Sequence, residues 1–391
     1  MWAGQEQKRA DACDVIVVGA GLEGAAVTAR LVREGFDTAV LDAQSVAGGA
    51  TGRSAGMVLT GPAGHYNWAV SAYGRQRARD IWALTVEGRS LLVEAADRMG
   101  VPLAHTGSLA LAVDDIEAEA LDESAALMRE DGFDVRFDAD DPLDRGFRAA
   151  LHYPDDVTVD AAALTQALLS ASNATVHEGT EVYGMEPERG GVRVWAQGRT
   201  VLCRAVVLAI NGYAPLLDFY FTDKVAPIRS LILATEPLAG HVLKQPCCAN
   251  YGYEYCRQLP DRRLLLGGWR RPHARPQSAA DREHPARSPS RARAKSPESE
   301  LDDVVHTGLI QLASRHFPEV ETAEVSRWSG VMGFTPDGLP LVGRLPDLPQ
   351  VYFAVGFGGR GLAWAFAVAE QLLELMLHDT APGILSAGRL A

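Results

Sequence analysis

DVIVVGAGLEGAAVTARLVREGFDTAVLDA, residues 14–43, is the stretch on which the reading of this chain turns. Val15 to Val18 form an unbroken apolar run, the pattern of a parallel strand covered on both faces. Gly19, Gly21 and Gly24 follow as GxGxxG, and Ala25, Ala26, Ala29 and Leu31 continue at helical spacing. Gly35 ends the helix, Thr38 to Leu41 read as a second strand, and Asp42 closes it. Each part has a physical task. Gly19 permits a tight turn, Gly21 leaves room for a pyrophosphate against the backbone, and Gly24 lets the helix pack on the strand. The helix N-terminus, around Ala20, Leu22 and Glu23, presents amides and partial positive charge to the phosphates. Asp42, with Ala43 behind it, stands about 20 residues after the glycines, where a carboxylate accepts from ribose hydroxyls.

The unit predicts dinucleotide binding. A carboxylate at Asp42 repels a 2′-phosphate, which favours FAD or NAD over NADP. The rest of the composition narrows the class. The chain has 391 residues, 47% of them apolar, room for two domains or one interleaved architecture. A net charge of -13 argues against nucleic acid as the main partner. The first residues, MWAGQEQKRA, are polar, so no signal peptide is expected. The late apolar run GLAWAFAVAEQLLELML carries Glu370 and Glu374 and is too short and too charged to span a bilayer. Five scattered cysteines, Cys13, Cys203, Cys247, Cys248 and Cys256, without a CxxC, point to reduced thiols in the cytoplasm and no metal site.

Three further segments bear on FAD against NAD. SVAGGATGRSAGMVLTG, residues 45–61, is a second Gly-rich run directly after the ribose acid. It offers Gly49, Ala50, Thr51, Arg53, Ser54, Ala55 and Gly56 to a longer cofactor body, and a surface loop is its other reading. RTVLCRAVVLAINGYAP, residues 199–215, reads as two strands joined by a turn and ending on Asn211 and Gly212. LPQVYFAVGFGGRGLAWAFAVAEQLLELM, residues 348–376, reads as a strand, a GFGGRG turn and a helix. Gly358, Gly359, Arg360, Gly361 and Leu362 thus form a second glycine-rich helix N-terminus.

Taken in order, VIVVGAGLEG, GGATGRSAG, VVLAINGYA, TPDGLPLVG and GFGGRGLAWA run from residue 14 to about 370. This set resembles the D-amino-acid oxidase, glycine oxidase and sarcosine oxidase family of FAD enzymes. The resemblance implies FAD and oxidation of a C–N bond. It implies an α/β fold, a Rossmann-like FAD-binding domain interleaved with a mixed-sheet α+β substrate domain. The FAD-binding part would comprise 12–66, 145–226 and 322–388, and the substrate part 67–144 and 227–321. It also implies that Val182 presents its backbone to the adenine, with an ordinary core valine the other reading. Gly333, before the Thr-Pro-Asp-Gly turn, would lie near the flavin.

Departures from the family pattern are informative. The position seven before Asp337, where some relatives attach flavin through Cys, is Gly330, and GGATGRSAG contains no His. Non-covalent FAD is therefore expected. Amino-acid oxidases of the group place a carboxylate-holding Arg in the loop before the Asp-Gly turn; here that position is Met332. The lysines that help oxygen accept electrons in relatives of the sarcosine oxidase kind find no match in LLLGG or GFGGRGLA. A buried carboxylate without a cation carries a large desolvation cost, whereas Met is an apolar, adaptable wall. An amine or N-substituted amine is thus favoured over a free amino acid, unless Arg53, Arg257 or Arg360 supplies the charge. The electron acceptor is O2 or another acceptor, and the oligomeric state is open.

Hydride removal next to nitrogen needs a neutral amine. With an alkylamine near ~10.4, deprotonation at pH 7 costs roughly 4–5 kcal/mol, which a dry pocket can offset. Arg360 beside a helix N-terminus is a candidate for stabilising reduced flavin, with a surface-loop cap as its other reading. In NYGYEYCRQL, Tyr251, Tyr253 and Tyr255 alternate, so a strand would put them on one face; Tyr253 and Tyr255 are candidate pocket walls, with packing on a neighbouring element their other reading. LPDRR then reads as a hairpin turn and RLLLGGW as the return strand. His65 and the helix residues Trp364 and Phe366 read as structural. Helices are expected over 75–100, 115–131 and 160–172, the last capped by Asp160, and a strand over 107–113. Residues 272–300, rich in Arg, Pro and Ser and with no apolar residue besides Ala, are expected to be disordered or an exposed loop. An NAD(P)H-dependent flavin hydroxylase and a non-catalytic FAD-binding subunit are the competing readings.

Overall fold

The computed structural model describes residues 11–268, 298–320, 323 and 325–390. Most of the basic 272–300 segment therefore lies outside the described residues. The chain opens with β1 (Asp11–Val18), α1 (Leu22–Arg33) and β2 (Thr38–Leu41), then β3 (Met57–Val58), α2 (Tyr66–Tyr73) and α3 (Arg75–Met99). Next come β4 (Leu103–Ala104), β5 (Ser108–Ala112), α4 (Asp115–Glu130), β6 (Arg136–Asp138), β7 (Ala149–Tyr153), β8 (Val157–Val159) and α5 (Ala161–Ser172). There follow β9 (Thr175–His177), β10 (Val182–Glu188), β11 (Gly191–Ala196), β12 (Arg199–Leu208), α6 (Ala214–Leu217) and β13 (Ala226–Thr235). The last part holds β14 (Cys247–Ala249), β15 (Glu254–Gln258), β16 (Leu264–Gly268), α7 (Glu298–His316), β17 (Val325–Phe334), β18 (Leu341–Arg344), β19 (Val351–Val355) and α8 (Gly361–His378).

Two eight-stranded sheets result, joined by the small β3–β8–β4 sheet. In the first, β1 lies between β2 and β12, parallel to both, and β12 also pairs in parallel with β19. This is the arrangement expected of a Rossmann-like half. Val15, Ile16, Val17 and Val18 are buried because both faces of β1 are covered. On one side α1 packs against α5 and α8, and α8 against α3. On the other, Ile16 and Val18 join Val192, Val194, Phe221 and Phe353 in one apolar cluster. Burying each such side chain contributes about 1.5–3 kcal/mol. The α3–α8 crossing is close enough that a Cβ on Gly88 would sit 2.1 Å from the Ala363 carbonyl oxygen.

The second sheet runs β17-β13-β16-β15-β14-β5-β7-β6 and is antiparallel except where β14 meets β5. Its longest ladder joins β13 to β17 from Ala226↔Phe334 to Thr235↔Val325. The stretch RWSGVMGF is thus strand, and the loop expected before the Asp-Gly turn is a ladder edge. Local capping follows the sequence: Asp160 accepts from the Ala163 amide at 3.0 Å to start α5, and Gly100, at φ +68°, ends α3.

Two expectations are corrected. Residues 199–208 form one strand, not two, because β1 pairs with nearly the whole of β12 and keeps it extended past Cys203. Tyr251, Tyr253 and Tyr255 do not share a face. Asn250, Tyr251 and Gly252 all have positive φ and make a tight turn between β14 and β15, so the alternation starts only at Glu254. The hairpin through LPDRR into LLLGG is present.

Candidate active site

A cavity of about 680 Å³ runs between the two sheets. One end is the turn after β1. Gly19 has φ +107°, and a Cβ there would lie 2.6 Å from the Ala209 carbonyl oxygen. Gly24 is more tightly held: its Cβ would meet the Gly19 carbonyl oxygen at 1.9 Å. Asp42 fixes the turn from the side. Its Oδ2 accepts from the Ala20 amide at 2.6 Å and its Oδ1 from the Gln44 amide at 2.7 Å. Thr51 Oγ1 accepts from the Leu22 amide at 3.0 Å, which ties the second Gly-rich segment to the start of α1.

That second segment is stapled to the opposite sheet. Arg53 donates from Nε to the Gly48 carbonyl and from Nη1 to the Ser329 carbonyl, both at 2.9 Å. Trp328 Nε1 donates to the Arg53 carbonyl at 3.0 Å, and Arg257 Nη1 to the Ala55 carbonyl at 2.7 Å. Gly49, Ala50, Ser54 and Gly56 complete this side of the cavity wall. Burial pushes the Arg257 guanidinium below its ordinary range, as expected of a side chain bonding carbonyls inside the protein.

The far end lies under the N-terminus of α8. Asn211, at φ +45°, accepts at Oδ1 from the Gly356 amide at 3.1 Å and the Phe357 amide at 3.2 Å, holding the third Gly-rich turn. Gly358, Gly359, Arg360, Gly361 and Leu362 line the cavity there. Arg360 Nη1 donates to the Thr60 carbonyl at 2.9 Å. Behind it is the buried Asp156 carboxylate, which accepts from Ser108 Oγ at 2.6 Å and from Thr60 Oγ1 at 3.0 Å. Opposite stand Met332 and Gly330 of β17, Ser230 and Ile232 of β13, Tyr255 of β15 and Cys248 of β14. The Ser230 hydroxyl oxygen is buried with no hydrogen-bond partner among the described residues.

The sequence family described as FAD dependent oxidoreductase matches residues 14–375. The chain belongs to that family. It is similar to the gamma-glutamylputrescine oxidoreductase of Escherichia coli strain K12, with 24% identity over 94% of this chain and 84% of the relative. It is also similar to the glycine oxidase of Bacillus licheniformis, with 24% identity over 94% of this chain and 93% of that one. The crystal structure of glycine oxidase from Geobacillus kaustophilus superposes with a TM-score of 0.72, at 22% identity, over 94% of this chain and 95% of that chain. The fold is therefore that of these flavoenzymes, and this oxidoreductase uses FAD.

The cavity has features that fit the cofactor. The glycine cradle has no room for a Cβ at Gly19, and the N-termini of α1 and α8 face the cavity at its two ends. Of the residues singled out in sequence, Gly21, Leu22, Glu23, Asp42, Ala43, Val182 and Asn211 also line it. A register shift between Val182 and Gly184 puts Tyr183 on the surface beside Val182. Five candidates do not line the cavity: Ala20, Gly24, Gly212, Gly333 and Tyr253. Ala20 acts through the amide it gives Asp42, and the three glycines act by packing. Gly212 and Gly333, for example, let α6's approach meet β17 where a Cβ on Gly333 would lie 2.7 Å from Asn211 Oδ1. Tyr253 is drawn into the protein by the Asn250–Gly252 turn. His65 is structural, as expected: it is buried, with Nε2 3.1 Å from Glu117 Oε1.

Two contributions are invisible in the motifs. Trp328 and Arg257 hold the second Gly-rich segment through contacts set by strand pairing. Ser230 and Ile232 reach the cavity only because β13 pairs with β17. At Glu23, which the sequence did single out, both carboxylate oxygens are buried without a hydrogen-bond partner among the described residues, and burial holds the carboxyl well above the usual range. A neutral acid is compatible with a neighbouring diphosphate; an ionised one would repel it.

Proposed function

We propose that the enzyme oxidises the C–N bond of an amine or N-substituted amine, in preference to a free amino acid. The observation that carries this reading is the wall opposite α8. Met332 occupies it, with Ile232, Met57 and Leu59 nearby, and the arginines lining the cavity, Arg53 and Arg360, are already bonded to backbone carbonyls. A carboxylate placed there would have to compete for these side chains or stay unpaired, at a desolvation cost. An amine gains from the same wall, because the low dielectric disfavours the ammonium and leaves the lone pair available.

Bound FAD, held without a covalent link, supplies the two-electron acceptor. The chain's own residues do the rest. The α1 N-terminus and Gly19–Gly21 turn hold the diphosphate, and Asp42 orients that turn. The α8 amides and Arg360 place positive potential at the other end, where negative charge develops on reduction. Met332, Ile232 and Tyr255 exclude water, and Ser230 and Tyr255 offer hydroxyls to position the amine. O2 or another acceptor removes the electrons. All strands of the first sheet fall in 12–66, 145–226 and 322–388 apart from the first residue of β1, which supports assigning those segments to the cofactor part. The second sheet draws β7 and β17 from them as well as strands from 67–144 and 227–321. A reducing, cytoplasmic setting goes with this reading on the cysteine pattern of the sequence, five scattered residues without a CxxC.

An anaerobic screen tests the proposal. Holoenzyme is mixed with primary amines, N-methyl and N-acylated diamines, D- and L-amino acids and NADH, and flavin absorbance is followed. Bleaching by uncarboxylated amines supports the reading. Bleaching by free amino acids alone overturns the substrate class, by NADH alone the reaction class, and by nothing the catalytic role.

A further inference from the structure

We propose that Cys247 and Cys256 form a redox pair that closes to a disulfide when a hydroperoxide reaches the small cavity behind Tyr255. The two cysteines face each other directly across the β14–β15 ladder. Their sulfur atoms are 2.8 Å apart, and both side chains are buried. Opposed residues of an antiparallel pair have Cα atoms about 4.5–5.5 Å apart, inside the range a disulfide accepts. Closure therefore requires side-chain rotation and little backbone movement.

Beside the pair lies a second cavity of about 40 Å³, whose wall includes Cys247, Cys256, Tyr255, Leu266 and Phe317. A water needs roughly 10–15 Å³ of such space, so a peroxide-sized molecule fits. Tyr255 lines both this cavity and the large one, and Cys248, next to Cys247, lines the large one. The thiol pair is thus one side chain away from the substrate wall. Where dioxygen is the acceptor, hydrogen peroxide is formed on the other side of Tyr255. The proposal goes beyond the substrate reading and does not depend on it, because peroxide can be added directly.

The hydrogen bond to Cys256 and burial hold the Cys247 thiol well above its usual range, and both residues line the small cavity, so the attack is open to either sulfur, taken here as Cys256. Its S–O bond forms as the O–O bond breaks, and the departing hydroxide takes the Cys256 proton as water. The Cys247 sulfur then displaces the remaining hydroxyl from Cys256: the S–S bond forms, the S–O bond breaks, and the Cys247 proton leaves with hydroxide as a second water. Two electrons pass from the two sulfurs to one peroxide. The disulfide pins the strands on either side of the Asn250–Tyr253 turn, which carries Gly252 to the large cavity beside Arg360.

The test uses purified holoenzyme and a few equivalents of hydrogen peroxide. Thiols are counted after denaturation and disulfides mapped by peptide mass spectrometry. The expected result is a fall from five titratable thiols to three, a Cys247–Cys256 cross-link, and full recovery with dithiothreitol. C256S should lose no thiol to a disulfide under the same treatment. An unchanged thiol count, a link through Cys248, or conversion of Cys256 to a species that dithiothreitol does not reduce overturns the proposal. If C256S does not fold, the wild-type mapping decides alone.

Discussion

The two sheets meet at one cavity and contribute to it in different ways. The first presents mainly backbone: the Gly19 turn, the amides opening α1, and the main chain around Val182. The second presents side chains, those of Ser230, Ile232, Tyr255 and Met332. Backbone geometry at the first sheet depends on the absence of Cβ atoms at a few sites and tolerates variation elsewhere. The wall of the second is only as specific as the side chains that strand pairing delivers to it. A change at the cofactor end should therefore act on binding as a whole, and a change at the substrate end on discrimination.

The largest effect should come from Gly24→Val, whose Cβ would fall 1.9 Å from a backbone oxygen that cannot yield. Purified protein is expected to contain little FAD, read as flavin absorbance per chain. Stoichiometric FAD in this variant would break the backbone account of the first sheet. At the other end, Met332→Arg adds a cation to the wall. A charge-assisted hydrogen bond contributes about 1.5–3 kcal/mol, so the kcat/KM ratio of carboxylated to uncarboxylated substrates should rise roughly ten- to a hundredfold. Steady-state kinetics with one pair of such substrates measures it, and an unchanged ratio would remove Met332 from the substrate wall.

Asn211 links the two ends. Asn211→Ala leaves the Gly356 and Phe357 amides without their acceptor, at a cost of about 1–3 kcal/mol. The melting temperature should fall by several degrees, with weaker FAD retention. Glu23→Gln gives the smallest effect and the one with a pH signature. Burial raises the Glu23 carboxyl in the folded state, so the folded chain keeps a proton that the unfolded chain gives up above about 4.3. The stability this provides is full below the unfolded value and is lost as pH rises towards the folded one. The variant should melt near the wild type at pH 5 and above it by a few degrees at pH 8, by differential scanning fluorimetry. A difference that shrinks with rising pH would contradict a buried neutral acid.

Much of the first sheet was legible because its determinants are local. Strand, turn, helix and acid occupy residues 14–43, and the same short-range logic placed the Asp160 cap and the second helix N-terminus at Gly361. Met332 was also legible as a cavity residue, since its place needs only a count back from Asp337. Legibility failed where a turn interrupts a period. The tyrosine alternation around Tyr253 is a correct pattern in a wrong conformation, because Asn250 and Gly252 admit positive φ and reset the strand. It failed again at β12, where 199–215 read as two strands joined by a turn but pairing with β1 carries a single strand through to Leu208.

Sequence by itself thus determined the cofactor class and the presence of the glycine cradle, since each depends on residues close together in the chain. Only the tertiary structure decided which side chains complete the site. The Trp328 bond to Arg53, the Ser230 hydroxyl on the wall and the Cys247–Cys256 contact all depend on which strands lie side by side. Such pairing is selected by burial across the whole chain, and no short window of sequence contains that information.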